Sequence, residues 1–380
     1  MTIPTTTNLR GLLRELARPR ITGSTGATEV AELIRARFGA LGFQIRDYPF
    51  TFSTIPGRFS VTAAGVVFLL GTLGAAALLN MRHPGVALVV LLLVLFLVGA
   101  IAALTPSLSA MLPFAKVSTA NMLAHKPGAR PRYIVMAHLD SKSQPLPLAF
   151  RGPAMVLGMV AWAAFMIFCV LGVLDPVWIV PRITTVLAVV CFIAGVLCVF
   201  CWVDNRSPGA LDNASGLATV LGIAERNRDV AEIGYLITDA EEMGLVGARD
   251  IARKLDPVIG IINVDGVDDH GSFHIMEKFG IPPRHIAPHL AAALLTAAAE
   301  MNVAAHRRNV PFGLLLDHIP LARRHLPSVT VLRGSLKSMM RVHRPADSMD
   351  QLSGAGVESA VALIDRALKI LRAEPAGPRV

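Results

Sequence analysis

Residues able to bind a metal ion stand where an α/β fold places its ligands, at the carboxyl ends of strands. His138 and Asp140 close the apolar run YIVMA in the segment AHLDS (137–141). Asp239, Glu241 and Glu242 follow IGYLIT in DAEEMGLVG (239–247). Asp265 follows VIGIINV, Asp212 sits in SPGALDNASG (207–216) just before a helical pattern, and His343 lies in VHRPADSMD (342–350) before the last one. A site for two metal ions needs a bridging carboxylate, further N or O ligands on each ion, and open positions for water. His138, Asp212, Glu242, Asp265 and His343 supply such a set with one member shared. Carboxylate and imidazole donors, with no thiolate in the polar sequence, suit Zn, and Co or Mn as substitutes. Glu241 and Asp140 are left for other work. An Asp two residues after a His can accept from the second ring nitrogen and fix its tautomer. Of two adjacent Glu residues, one can turn toward metal and the other toward the water it binds.

Each feature is weak by itself. A lone His-x-Asp is usually solvated or structural, and a Glu-Glu pair often faces a helix dipole. Asp-Asn-Ala-Ser-Gly can be a helix cap and its first turn. The ordered combination, each member at a strand or helix end, is what points to chemistry.

The elements that must hold these residues follow from periodicity. Asn8–Ala17 and Glu29–Leu41 have helical spacing, Phe43–Phe52 alternates as a strand, and Tyr133–Ala137 reads as a buried strand. Helices are expected at Ser215–Glu225, Met243–Lys254, His285–Met301 and Ser353–Leu371, and strands at Ile233–Thr238, Val258–Val264 and Ser328–Leu332. Strands alternating with helices predict an α/β three-layer sandwich around a mixed, largely parallel sheet.

The chain of 380 residues is 53% hydrophobic and 17% charged, too apolar for an ordinary soluble enzyme. The surplus lies in four uncharged runs, Phe59–Met81, Gly85–Leu104, Gly152–Leu174 and Ile183–Val203. At about 1.5 Å of rise per residue, each can cross a hydrocarbon core roughly 30 Å thick. Arg82-His83-Pro84 separates the first pair and 175–182 the second, so both pairs are hairpins. The polar stretches 1–58, 105–151 and 204–380 then share one side of the membrane as parts of one enzyme-sized domain, with hairpins at 59–104 and 152–203. Arg46, Arg58, Lys116, Lys142, Arg151 and Arg206 flank the membrane ends on that side, against Arg82 and Arg182 at the tips, which predicts a cytoplasmic catalytic domain. The polar start, with no signal-peptide pattern, agrees. All four cysteines lie in the apolar runs, so the polar domain needs no disulfide. The net charge of +9 comes with no nucleic-acid-binding motif, and anionic lipid headgroups are its expected partner.

As an ordered set, AHLDS, PGALDNASG (208–216), DAEEMGLVGA (239–248), INVDG (262–266), LDHIP (316–320) and VHRPADSMDQLS (342–353) resembles the M28 family of zinc peptidases. That family includes aminopeptidases, glutamate carboxypeptidases and glutaminyl cyclases. PRITGST (19–25) is similar to the family's start. The resemblance covers essentially all the polar sequence and none of the apolar runs. It implies that His138 and Glu242 bind one zinc and Asp265 and His343 the other, with Asp212 bridging. It also implies Glu241 as general base and Asp140 as the residue orienting His138. Leu139 and Leu316 depart from the residues common in the family, and neither is a ligand position. The larger departure is the second hairpin, lying among the 71 residues between Asp140 and Asp212.

The expected activity is metal-assisted hydrolysis of peptide bonds, most simply by an aminopeptidase whose substrate α-amine ligates one zinc. A glutaminyl-cyclase-like transferase is the first alternative, and it needs only one zinc. A non-catalytic membrane scaffold or receptor is the second, opposed by the complete ligand set. A transporter is the third, opposed by the absence of ionisable residues from the four runs. The insertion of the second hairpin between two site residues leads to the expectation of an active site close to the bilayer, reached by peptides associated with it.

Overall fold

The computed structural model describes residues 8–280, 282–311 and 313–373. In chain order the elements are α1 (Leu9–Leu16), α2 (Thr25–Ala40), β1 (Gln44–Ser53), α3 (Thr54–Asn80), α4 (Pro84–Met111), β2 (Lys116–His125) and β3 (Tyr133–His138). Then come α5 (Leu148–Leu174), α6 (Pro181–Val199), α7 (Ser215–Arg226), β4 (Ile233–Thr238), α8 (Val246–Ile251), β5 (Gly260–Val267), β6 (Ser272–Phe279) and β7 (Arg284–His285). The chain closes with α9 (Pro288–Glu300), β8 (Ala305–Asn309), α10 (His318–Ala322), β9 (Ser328–Gly334), α11 (Leu336–Arg341) and α12 (Ala355–Ala373). They form two compact units: 1–52, 117–143 and 205–380 in the first, 53–116 and 144–204 in the second.

The first unit is built on one mixed sheet in the order β1-β2-β4-β3-β5-β9-β6-β7, with β8 on β6. The four central strands, β4, β3, β5 and β9, are parallel. The flanking pairs β2–β4 and β9–β6 are antiparallel. Successive residues of β3 feed two separate cores. Tyr133, Val135 and Ala137 pack with α1, α2, α7, α9 and α12, whereas Ile134 and Met136 pack with Ile251 of α8 and Leu321 of α10. Burial on both faces is why these strands read as unbroken apolar runs, and it makes the unit a three-layer sandwich. Parallel strands also point the same way, so β3, β4 and β5 deliver His138, the 239–242 segment and Asp265 to one edge of the sheet.

One expected helix needs correction. The helix read over Met243–Lys254 is confined to Val246–Ile251. Ahead of it Ala240, Gly244 and Leu245 have left-handed backbone, because the segment is bent toward the site before the helix can start. Strands β2, β6, β7 and β8 were not legible. In β2 the polar Thr119 and Asn121 break the apolar pattern, and their side chains serve Asp239 and Gly247.

The second unit is a four-helix bundle in which α3 packs on α4 and α6, and α5 on α4 and α6. Ala75, Leu79, Leu91, Phe165, Cys169 and Cys191 form its interior. Small residues let backbones approach: a Cβ on Gly65 would lie 2.7 Å from that of Cys198. Leu70, Val89, Phe96 and Val160 are exposed on the outside. All four helices are long and apolar enough to cross a membrane, by length and composition.

Candidate metal centre

The site begins with how its loops are fixed. Arg20 is fully buried and donates to the carbonyl of Leu139 at 2.6 Å and to those of Pro208 and Gly209 at 2.6 and 2.9 Å. One guanidinium therefore ties the loop after β3 to the loop before α7. Gly209 takes a left-handed conformation there, and a Cβ would meet the Asp212 carbonyl at 2.5 Å and Ser141 Cβ at 2.6 Å. Asn213 donates to Val264 of β5 at 2.8 Å and accepts from Gly216 at 3.0 Å and Gly266 at 3.1 Å. The Asp-Asn-Ala-Ser-Gly run is thus both a turn-capping device and the tether that holds Asp212 against β5. Asp347 adds to it, accepting from the backbone N–H of Leu211 at 2.7 Å and of Asp212 at 3.0 Å.

On this frame the five expected metal ligands fall into two groups that share Asp212. Asp212 Oδ1 is 3.2 Å from His138 Nε2, and Oδ2 is 3.0 Å from His343 Nε2. Asp265 Oδ1 is 3.6 Å from His138 Nε2, and Glu242 Oε1 is 3.4 Å from His343 Nε2. The groups are therefore His138, Asp212 and Asp265, and Asp212, Glu242 and His343. This corrects the pairing implied by the resemblance. His138 goes with Asp265 because β3 and β5 are adjacent parallel strands, and Glu242 meets His343 across Asp212.

The donor set fits a divalent ion. His138 Nδ1 lies 3.0 Å from the Asp140 carbonyl oxygen, to which it donates in the tautomer that leaves Nε2 as a lone-pair donor. His138 Nε2 and Glu242 Oε1 are buried and have no hydrogen-bond partner. Such orphaned buried atoms are costly without a cation to face them.

Asp140 acts differently from the sequence expectation. Its carboxylate is 3.6 Å from His138 Nδ1, too far for a hydrogen bond. Instead it accepts from the N–H groups of Glu241 and Glu242, each at 3.0 Å. The main-chain carbonyl of Asp140 orients the imidazole, and its side chain bends the Glu-Glu segment.

Several contributors lie outside the ligand set expected from the sequence. Lys142, immediately past AHLDS, places Nζ 2.5 Å from Glu242 Oε2. Asp239 accepts from Thr119 at 2.6 Å and Thr22 at 2.9 Å. Asp317 accepts from Thr238 at 2.5 Å. Arg20 and Asp347 were visible only as members of longer motif runs.

The electrostatics follow from this crowding. Burial would raise the Glu242 carboxyl, but Lys142 and His343 beside it bring it down to about 2. Asp212 is likewise held well below the usual range despite burial, by the imidazoles of His138 and His343 that face its two oxygens. Burial and the Glu242 charge lift Glu241 well above that range. Burial, with carboxylates nearby, pushes Asp239, Asp317 and Asp347 to about 7.

Residues 190–367 match the model of Peptidase family M28. They include Asp212, Glu241, Glu242, Asp265 and His343 and exclude His138 and Asp140. Among solved structures, the chain is similar to an aminopeptidase from Aneurinibacillus sp. strain AM-1, at 13% identity and TM-score 0.56, over 95% of this chain and 92% of that one. It is also similar to BSAP, a zinc aminopeptidase from Bacillus subtilis, at 13% identity and TM-score 0.55, over 98% and 96%. A Fimbriiglobus ruber glutaminyl cyclase shares 15% identity at TM-score 0.57, over 97% of each chain. At these identities the likeness is one of fold. No curated protein sequence matches.

Proposed function

The chain is M28-like in sequence over 190–367 and aminopeptidase-like in fold, and from that premise we propose that it is a two-zinc metallopeptidase of the aminopeptidase type. The observation carrying this reading is the shared carboxylate: Asp212 offers one oxygen to each imidazole, and each imidazole has its own further carboxylate. Zinc ions held by these residues would supply Lewis-acid polarisation of the scissile carbonyl and activation of water. Glu241, buried and with its carboxyl raised by burial and Glu242, takes the proton of the attacking water and passes it to the leaving amine. Asp140 keeps Glu241 and Glu242 apart in role by gripping the backbone of both.

The four apolar helices are read as membrane spans, which makes the lipid bilayer a partner alongside the peptide substrate, with the catalytic unit on the cytoplasmic side. A second reading, a glutaminyl-cyclase-like acyltransferase, is favoured by the equal fold similarity to glutaminyl cyclases.

The test is zinc analysis of the detergent-purified chain, with a panel of aminoacyl amides, N-blocked peptides and peptides beginning with glutamine. About two zinc ions per chain and hydrolysis of free-amine substrates are expected. Cyclisation of N-terminal glutamine without hydrolysis selects the second reading, and absence of bound zinc overturns both. Asp212→Asn should lose both ions together.

A further inference from the structure

By donor type the two ligand groups are equivalent. Each has one imidazole and two carboxylates, and Asp212 belongs to both. What distinguishes them is Lys142. Its ammonium lies 2.5 Å from Glu242 Oε2, with the Lys142 side chain 16% exposed and that of Glu242 2% exposed. Asp265, by contrast, faces His138, and among the described residues no Lys or Arg pairs with it.

Resting on the two-ion reading above, we propose that Lys142 makes the two positions unequal. The His138–Asp212–Asp265 position takes the first divalent cation, and the Asp212–Glu242–His343 position takes a second only against the Lys142 charge. Glu242 divides its carboxylate between two duties. Oε2 is held by Lys142, while Oε1 faces His343 Nε2 and has no hydrogen-bond partner. The ammonium thus leaves Glu242 one oxygen for metal and cancels part of the charge that would attract it. Solvent screens such a pair weakly when both groups are removed from water.

The aim of Lys142 is fixed from both sides of the chain. Ser141 donates its hydroxyl to the Ser207 carbonyl at 3.2 Å and accepts from the Arg20 N–H at 3.2 Å. Ser143 accepts from the Arg206 N–H at 2.9 Å. With both neighbours anchored, Lys142 leaves a held backbone rather than a free loop. It is a positioning residue, tuning a ligand and touching no substrate.

The experiment uses the full chain in detergent, stripped with a chelator and titrated with zinc by calorimetry. In the wild type the first ion should bind at least about tenfold tighter than the second, since a like charge a few ångströms away costs at least that much. Lys142→Met should tighten the second step by about tenfold or more and leave the first nearly unchanged, while Lys142→Arg keeps the gap. Independently of any Lys142 variant, Glu242→Gln, which retains the first position, should bind one zinc more tightly than Asp265→Asn, which retains the second. Equal steps in the wild type, an unchanged gap in Lys142→Met, or the reverse order of the two ligand variants each overturns the proposal. A wild type that binds no zinc would instead overturn the metal reading on which it rests.

Discussion

The carboxylate of Asp347 accepts the backbone N–H of Asp212 at 3.0 Å and that of Leu211 at 2.7 Å, so one acidic residue positions another that two imidazoles share. Neither contact involves the Asp212 side chain, which stays turned to His138 and His343. Asp347→Ala leaves two buried N–H groups unpaired, at about 1–3 kcal/mol each. Outer supports of this kind are typically worth about 10–100-fold in metal affinity or activity. The variant should unfold at lower denaturant concentration and bind zinc more weakly, and Asp347→Asn, which keeps one acceptor oxygen, should fall between it and the wild type. Wild-type zinc affinity in Asp347→Ala would remove Asp347 from the metal argument.

Adjacent Glu241 and Glu242 should separate cleanly. Glu242 lies in the second ligand group, whereas Glu241 belongs to neither. Glu241→Gln is expected to lose turnover by at least about 10²–10⁴-fold, the range of general base catalysis, with zinc content kept. Glu242→Gln should lose zinc as well. Equal zinc loss in both variants would remove the division of roles.

The sequence carried the parallel centre of the sheet plainly, because β3, β4, β5 and β9 are buried on both faces and read as continuous apolar runs. It could not show β2, β6 or β8, whose patterns are broken by polar residues such as Thr119 and Asn121 that face the interior to bind Asp239 and Gly247. The ligand residues were legible from their places at element ends. Their partition between two groups was not, because it depends on which strands are neighbours. The work of Asp140 was misread for a similar reason: the loop turns its carbonyl, not its carboxylate, to His138. Arg20 and Lys142 gave no local signal, since the loop carbonyls that Arg20 ties together lie 119 or more positions away and Glu242, the partner of Lys142, lies 100 away along the chain.

Asp239 offers a pH test in the metal-free protein. Burial, with Asp140 nearby, raises its carboxyl from 3.8 to about 7. The folded chain then binds a proton between those values that the unfolded chain has released. Stability from this group is full below the unfolded value and is lost as pH rises toward 7. Asp239→Asn removes one proton from the linkage, so the fall in stability across that window should become shallower by up to ~1.4 kcal/mol per pH unit. Denaturant midpoints measured from pH 4.5 to 7.5 check it, and parallel curves for the two proteins would rule the assignment out.

The last prediction concerns topology. Within the helical unit, Gly172 lies against Pro84 and Ile179, which brings the tips of both hairpins to one end of the bundle. At the other end Val203 donates to the carbonyl of Arg58 at 3.2 Å. The tip end carries Arg82 and Arg182, and the other end has Arg58 in α3 and Arg151 in α5, with Lys116 and Arg206 close along the chain. Lys142 does not add to this bias, because its ammonium is engaged by Glu242 and is not free for headgroups. The bias remains without it, and by the positive-inside rule it predicts the tips outside and the catalytic unit in the cytoplasm. In a variant whose four native cysteines are replaced, His83→Cys should react with an impermeant thiol reagent on intact cells. Asp229→Cys, on the exposed turn after α7, should react only after the membrane is opened. Labelling of Asp229→Cys on intact cells, with His83→Cys protected, would place the catalytic unit on the outer face.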